Sequence, residues 1–342
     1  MVELEGCEKR GRVGSRELAL FGLGTLLALF CGLFRSARAA GPMHMGPAKR
    51  VQFWAADRGG NHVFGLDEGF LLRTKKRVHR PLRVAARRDG GAWILHALGS
   101  LKEPHGLLRI DEWGTTEAAV TLAEPADLAT WRGRDALVIE RGTGAGGLDR
   151  VLRFDASGNE TRVFEGAGLA CLAVQGDTLL VGNEGGGLVR LELESEQGTS
   201  EVRPCGIVPA LCLEPASEGD GWWLLGGDAA RTITRLGTDL EPRWSMPTHL
   251  EAASFVACRG SESVWVADDT RPVFRRYGPR GRLEFQRDAT LAGLGRGSER
   301  PEGGVVFAAP GALLALDERG GAEPGQGGFQ FLVDVDSVPR AR

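Results

Sequence analysis

The hydrophobic and polar positions of this chain repeat with a long, regular period. Between Val51 and Val335, a short apolar segment that ends in an acid or a glycine returns in steps of about 42 residues. Its copies are VFGLD (63–67), LLRID (107–111), VLRFD (151–155), LVRLE (188–192), TITRLG (232–237), FRRYG (274–278) and LLALD (313–317). A second apolar run, often containing tryptophan, precedes each copy. Two segments of every repeat therefore keep the same spacing.

These runs are too short for helices. They are rich in Val, Leu, Trp and Phe, and clusters of Gly, Asp, Pro and Ser separate them, which is the pattern of strands and turns. The 51 glycines suit tight turns. A unit of about 40 residues with four short strands is typical of a propeller blade. The sequence predicts an all-β fold, a β-propeller of about seven four-stranded blades, with six blades as the alternative.

The blade count depends on how the ring closes. Most repeats begin with an expected innermost strand, namely LRVAA (82–86), ADLAT (126–130), LACLAV (169–174), ALCLE (210–214) and SFVAC (254–258). The first repeat has no such segment. We therefore expect the last apolar stretch, residues 329–335, to pair with the first repeat and remove a free sheet edge.

The first repeat carries a family resemblance. Residues 55–67, AADRGGNHVFGLD, resemble the NHL repeat, which is named for an Asn-His-Leu stretch, with Val63 in place of the leucine. VWVADD (264–269) has the same cadence, whereas the other five repeats lack Asn-His. The resemblance implies a propeller of six or seven blades. Such propellers include binding modules, lactonases and lyases, so the fold alone does not assign a function.

The first 50 residues have a different composition. Leu18 to Phe34 is uncharged, basic residues precede it, and Ala37-Arg38-Ala39 fits a small-x-small cleavage site. We predict an apolar leader helix within residues 1–39 that acts as a signal peptide or, if uncleaved, as a membrane anchor. Residues 40–50 would be a linker, 51–336 the propeller and 337–342 a tail. Both alternatives export the propeller to the periplasm or the extracellular space.

Charge and cysteines add two limits. The net charge is only −3 and basic residues are spread over the repeats, which gives no electrostatic footprint for nucleic acid. Cys171, Cys212 and Cys258 lie on expected innermost strands, and Cys205 lies shortly before one. Buried, unpaired thiols are the simpler expectation. An exported protein also permits a disulfide, Cys205 with Cys212 or Cys171 with Cys212.

The second strand of each repeat ends in a polar residue. These strand ends should share the face that holds the connections between blades, which usually binds ligands in propellers. The expected ligand-binding ring is Asp57, His96, Glu140, Asn183, Glu184, Asp228 and Asp268. Within it, Glu140, Asn183, Glu184 and Asp228 would form a Ca²⁺ site if a metal is bound, because hard cations take oxygen ligands. The competing explanation is that each acid accepts backbone N–H bonds and fixes the following turn.

The sequence therefore favours an exported binding or interaction scaffold that takes an unknown protein or small molecule on this face. The alternative is a metal-dependent hydrolase or lyase of the lactonase-like propeller class. No histidines recur at equivalent positions, and no residue can be assigned a catalytic role. Contact with a membrane is expected only through the N-terminal segment.

Overall fold

Seven antiparallel sheets of four strands each make up the described part of the protein. The computed structural model describes residues 50–97, 105–194, 200–204, 210–216, 221–227, 232–250, 253–259, 263–268, 273–288, 296–300, 304–309, 311–317, 322–323 and 332–337. The expected leader helix lies outside these residues. No helix in the described ranges has the length and apolar character needed to cross a bilayer.

The strands are short, as the repeat pattern predicts. In chain order they are β1 (Phe53–Asp57), β2 (His62–Leu66), β3 (Leu72–Arg77), β4 (Pro81–Ala86), β5 (Ala92–Ala97), β6 (His105–Ile110), β7 (Thr116–Leu122), β8 (Pro125–Trp131), β9 (Asp135–Glu140), β10 (Asp149–Phe154), β11 (Glu160–Gly166), β12 (Leu169–Gln175), β13 (Thr178–Asn183), β14 (Gly187–Glu192), β15 (Ser200–Pro204), β16 (Ala210–Pro215), β17 (Trp222–Gly226), β18 (Thr232–Leu236), β19 (Pro242–Pro247), β20 (Ala253–Arg259), β21 (Ser263–Asp268), β22 (Val273–Tyr277), β23 (Leu283–Asp288), β24 (Gly297–Glu299), β25 (Val305–Ala309), β26 (Ala312–Leu316), β27 (Ala322–Glu323) and β28 (Leu332–Ser337). One 3₁₀ turn, Ala145–Gly147, lies between β9 and β10.

The order of strands within the sheets confirms a propeller of seven blades. Blade 1 is β28-β1-β2-β3, and blades 2 to 7 follow as β4 to β7, β8 to β11, β12 to β15, β16 to β19, β20 to β23 and β24 to β27. The expected innermost strands are the first strands of blades 2 to 6. The seam prediction is also confirmed, because β28 supplies the missing innermost strand of blade 1, pairing Val335 with Ala55. The last strand, β28, and the first three strands, β1 to β3, thus form one sheet that closes the ring.

Tryptophans at one strand position build the core between blades. Trp54, Trp93, Trp223 and Trp265 are each 0% exposed. An arginine on the adjacent strand lies over the ring in three of these blades, in the pairs Arg109 with Trp93, Arg235 with Trp223 and Arg276 with Trp265, at 5.2 to 6.0 Å. Blade 1 differs because a Cβ at Gly65 would come within 3.2 Å of the Trp54 ring. Its repeat lacks the arginine for a packing reason.

The acid that ends the third strand fixes the next turn. The Asp67 carboxylate accepts the N–H groups of Gly69 and Leu71, each at 2.9 Å. Asp111 and Asp155 accept the corresponding N–H groups two and four residues later. Side chains of aspartate commonly stabilise turns in this way. The repeated strand-terminal acid is therefore explained by local structure.

We predict that Val335 holds the seam closed. Its side chain is 1% exposed and packs into one cluster with Phe53, Leu66 and Val306. Val335→Ala should lower the free energy of unfolding by about 2 kcal/mol, because it removes two buried methyl groups. Urea unfolding measures this. Leu283→Ala is the control, since Leu283 is 43% exposed and its truncation should change stability by less than about 0.5 kcal/mol. Equal effects would show that β28 does not contribute to the core.

Candidate functional site

The ring of polar strand ends lies on one face, which we name the top face. It carries the ends of the second strands, including Asp57, Glu140, Asn183 and Asp268, together with the connections between blades. His96 precedes the last residue of β5 on the same face, and Glu184 follows β13. Asp228 lies outside the described residues. The described residues of the predicted ring therefore lie on a common face.

Two of these side chains, Asp57 and Asn183, bond to their own turns. The Asp57 carboxylate accepts the N–H of Gly60 at 3.0 Å, and the Asn183 amide oxygen accepts the N–H of Gly187 at 2.7 Å. The exposed Glu184 pairs with Arg141 at 3.0 Å. Asp268 is 0% exposed. Among the described residues, no three His, Cys, Asp or Glu side chains converge in a way that fits a metal ion.

Glu140 receives hydrogen bonds from three neighbouring groups. Its carboxylate accepts the N–H of Ala123 at 2.6 Å, the Thr143 hydroxyl at 2.9 Å and the guanidinium of Arg150. Burial alone would raise the pKa of Glu140, but these hydrogen bonds outweigh it and hold the pKa below its usual value. His96 is also buried, and burial lowers its pKa. Ligand binding by the ring stays a prediction. The hydrogen bonds described for Asp57, Glu140 and Asn183 stabilise the protein's own turns and strand ends.

A second set of polar residues lies on the axis. The innermost strands of blades 1 to 5 have a register shift at the top face, and the residue next to that shift stands opposite the second or third residue from the end of the neighbouring strand. In blade 7, Arg296 takes the equivalent place, because its carbonyl accepts the N–H of Ala308. We name this set the upper axial layer. Its described side chains are Asp334, Arg83, Asp127, Cys171, Cys212 and Arg296.

Arg296 reaches across the axis. Its Nη1 lies 2.9 Å from Oδ1 of Asp127 and its Nη2 lies 3.7 Å from Sγ of Cys212. These partners belong to blades 3 and 5, and neither blade is adjacent to blade 7. The Nε of Arg83 approaches the same oxygen of Asp127 at 3.8 Å. An ionic cluster therefore links non-adjacent blades across the axis at this level.

The axial aspartates also cap backbone groups of the next blade. The N–H of Val84 donates to Asp334 at 2.9 Å, and the N–H of Leu172 donates to Asp127 at 3.1 Å. Asp336, two residues after Asp334, accepts the N–H of Ala86 at 2.8 Å. The inner edge of a blade has no neighbouring strand, so its N–H groups need such acceptors.

Two residues further along each innermost strand is the lower axial layer. The register places Asp336, Ala85, Ala129, Ala173, Glu214 and Ser298 at this level. Glu214 makes no hydrogen bond to the described residues. Protein encloses it, yet it keeps partial solvent accessibility, as expected of a side chain that lines a channel.

Burial dominates the electrostatics of the axis. It raises the pKa of Glu214 to about 8, and Asp336, Asp127 and Asp334 add to this effect against the opposing charge of Arg296. Burial also raises the pKa of Asp334. For Arg296, burial acts to lower the pKa, but Asp127, Cys212 and the other carboxylates outweigh it and hold the pKa above its usual value. Glu214 is thus largely protonated near neutral pH.

Burial disfavours the thiolate form of both axial cysteines. Cys171 and Cys212 are buried and free, so a disulfide that includes either one is wrong, and the expectation of buried thiols is confirmed for both. Burial raises the pKa of Cys212 to about 11 and that of Cys171 well above its usual value. Cys205 and the side chain of Cys258 lie outside the described residues.

Sequence analysis did not select the axial residues. The segments ADLAT and ALCLE were assigned as innermost strands, but their charged members, Asp127 and Glu214, were not considered as a site. A usable signal was present, since a charge on the strand nearest the axis of a propeller faces other innermost strands. The axial position of Arg296 could not be predicted, because the sequence around it does not match the repeat.

Three solved structures share the fold over most of the chain. A functionally unknown protein from Desulfotomaculum acetoxidans DSM 771 has a TM-score of 0.66 and 9% identity, covering 85% of this chain and 100% of its own. A chain of a mitotic checkpoint complex has a TM-score of 0.60 and 12% identity, covering 86% and 88%. BamB from Moraxella catarrhalis has a TM-score of 0.54 and 15% identity, covering 84% and 86%. Similarity at this level shows the propeller fold alone.

No protein-family model and no curated protein matches this sequence. The NHL likeness of residues 55–67 therefore stays a resemblance. In the structure, Asn61 has a positive φ of 55° between β1 and β2, and its side chain accepts the N–H of Arg80 at 2.8 Å. The asparagine of this stretch thus has a turn role.

We predict that Glu214 and Glu140 give opposite dependences of stability on pH. The folded pKa of Glu214 is raised, so its stabilising contribution is complete below about pH 4.5 and is lost as the pH rises through about 8. Glu214→Gln should become more stable than the wild type over that range, by on the order of a few kcal/mol at pH 9. Denaturant unfolding at several pH values measures the difference.

Glu140→Gln is the matched control. The folded pKa of Glu140 is lowered, so its contribution is present above its ordinary pKa and is lost as the pH falls through the folded value. This variant should be less stable than the wild type at pH 7 by about 1 to 3 kcal/mol, with the deficit shrinking in acid. Parallel pH profiles for the two variants would contradict the assigned environments.

Proposed function

We propose that this protein is an exported binding module that holds a protein or small-molecule partner on its top face, at the mouth of the axial channel. The observation that carries the proposal is the ionic cluster of Arg296 and Asp127, which spans non-adjacent blades. A buried ion pair is weak evidence for a stabilising role, because well-packed apolar residues often serve stability equally well. Blade 4 has the buried thiol of Cys171 at the same level.

The cluster of Arg296, Asp127 and Arg83 is suited to binding a partner. Charges held rigidly in a low-dielectric channel attract complementary groups more strongly than exposed charges do. The side chain of Arg296 is 17% exposed and that of Arg83 is 34% exposed, so a partner can reach both. The proposal of export is supported by the uncharged segment Leu18–Phe34 and the cleavage pattern at residues 37–39.

Processing of the N-terminus tests export. The mature protein should be recovered outside the cytoplasm and should begin at Ala40, as measured by N-terminal sequencing of fractionated cells. An uncleaved chain in the membrane fraction would show the anchor form of the same proposal. Ala39→Leu should block cleavage, since a small residue is required there. Full-length protein confined to the cytoplasm would contradict export.

Substitution of the axial pair tests binding. The double variant Asp127→Asn with Arg296→Gln removes both charges without leaving one unpaired. In quantitative affinity capture from the exported fraction, it should retain at most a fifth of the partner bound by the wild type. Arg282→Gln makes the same chemical change in the exposed β22–β23 turn on the opposite face, and capture should be unchanged. Equal capture by all three proteins would contradict the top-face assignment.

A further inference from the structure

The outermost strand of blade 1 has a composition that the other blades do not share. β3, LRTKKR, carries four basic residues and no acid, and one of the four, Arg73, pairs with Asp67. Each outermost strand of blades 2 to 7 carries at most one basic residue. Charged side chains can protect a free sheet edge from aggregation, but the other six edges lack such a cluster. Edge protection alone therefore does not account for the charge of β3.

The remaining three charges of β3 have no acidic partner. Lys75, Lys76 and Arg77 form no ion pair with any described residue. Lys75 and Arg77 are exposed, Lys76 is half-buried, and the Lys75 ammonium lies 5.4 Å from the centroid of the Phe64 ring. The end of β3 thus presents uncompensated positive charge to solvent.

Exposed apolar side chains flank the same strand. Leu71 directly precedes β3 and is 53% exposed, and Trp113 in the β6–β7 turn of blade 2 is 71% exposed. The carbonyl of Trp113 accepts the hydroxyl of Thr74 at 2.8 Å. A Cβ at Gly114 would lie 3.6 Å from the Cβ of Lys76. The turn that carries the tryptophan is therefore fixed against β3.

We name Leu71, Lys75, Lys76, Arg77 and Trp113 the β3 edge. Because β3 has six residues, this surface is roughly 20 Å long. Tryptophan concentrates at the boundary between water and lipid, since its ring is apolar and its N–H is polar. Lysine and arginine are attracted to anionic headgroups. A soluble acidic partner would use the basic residues but gives no reason for an uncovered tryptophan beside them.

The position of blade 1 in the chain also favours a bilayer. Blade 1 contains the first strand of the propeller, and the uncharged segment Leu18–Phe34 precedes it. Residues 35–50 span at most about 55 Å when fully extended. A segment that stays in a membrane would therefore hold blade 1 near the lipid surface and raise its effective concentration there.

We propose that the β3 edge docks on the surface of an anionic lipid bilayer. The basic side chains contact the headgroups, and Trp113 and Leu71 enter the boundary with the acyl chains. This contact adds a second membrane-binding element to the one expected in the N-terminal segment. Because β3 is an outermost strand, the contact lies at the rim of the propeller and does not involve the axial cluster.

Vesicle co-sedimentation tests the proposal with the chain that begins at Ala40. This form keeps every described strand and lacks the apolar segment, which would enter a bilayer by itself. It should bind saturably to phosphatidylcholine vesicles that contain a quarter of phosphatidylglycerol, and at least about tenfold more weakly to pure phosphatidylcholine. Salt at about 1 M should release most of the bound protein, because the Debye length is then ~3 Å.

Charge variants locate the surface. The triple variant Lys75→Gln, Lys76→Gln, Arg77→Gln should bind the anionic vesicles about a hundredfold more weakly, since each basic side chain near such a surface contributes roughly fivefold. A control triple to glutamine removes the same charge from other blades, where it should change binding less than about threefold. Its positions have side chains that are 66%, 62% and 56% exposed, namely Arg134, Arg162 and Arg243.

Two further readouts do not depend on the charge variants. Trp113→Ala should weaken binding severalfold without changing thermal unfolding, whereas Leu283→Ala, at an exposed apolar residue of blade 6, should do neither. Lys75 and Lys76 are the only lysines in the described part of the chain. In the full-length protein, their acetylation should be slower with anionic than with neutral vesicles, as measured by mass spectrometry.

Three results would overturn the bilayer proposal. They are equal binding by the two triple variants, equal binding to anionic and neutral vesicles, and unchanged labelling of Lys75 and Lys76. A fourth result would assign the β3 edge to a soluble acidic partner instead. In that case polyglutamate binds as tightly as the anionic vesicles do, and Trp113→Ala leaves vesicle binding unchanged.

Discussion

The free inner edge of each blade is the constraint from which the axial chemistry follows. A propeller arranges its sheets radially, so the N–H groups on this edge face a channel instead of another strand. Asp334, Asp336 and Asp127 accept three of them. These carboxylates introduce buried negative charge, which requires compensation. Arg296 supplies it to Asp127, so a backbone requirement and a charged site occupy the same place.

The propeller fold does not require charged residues at these axial positions. In blade 4, Cys171 and Ala173 fill the equivalent axial positions, and the sheet is continuous there. The Asp127–Arg296 pair also bridges non-adjacent blades, where no neighbouring strand needs it. Burial likewise raises the pKa of Glu214 to about 8, which disfavours its ionised form on the axis. Sites that bind ligands commonly retain such unfavourable groups.

The fold could be predicted from the sequence because a blade is a local unit. The alternation of apolar residues and turn residues is contained within about 40 residues. The place of the strand that contains Val335 could be predicted because the first repeat lacks an innermost strand. The axial site could not be predicted in the same way. Asp127 and Arg296 are 169 positions apart, and their meeting depends on ring closure and on a side chain that crosses the channel. The state of the cysteines could not be predicted from spacing either. Cys171 and Cys212 occupy equivalent positions in adjacent blades, yet both are free.

The contrast between the top-face ring and the axis indicates where function is encoded in a repeat protein. An acid that recurs at one position, such as Asp67, Asp111 and Asp155, meets the same local need in every repeat and is bonded within its own turn. The axial layers are not periodic, because a carboxylate, a guanidinium, a thiol and a methyl group occupy equivalent positions. A backbone that repeats does not require such differences. The backbone repeat does not account for them, and they lie where the innermost strands of the blades converge on the axis.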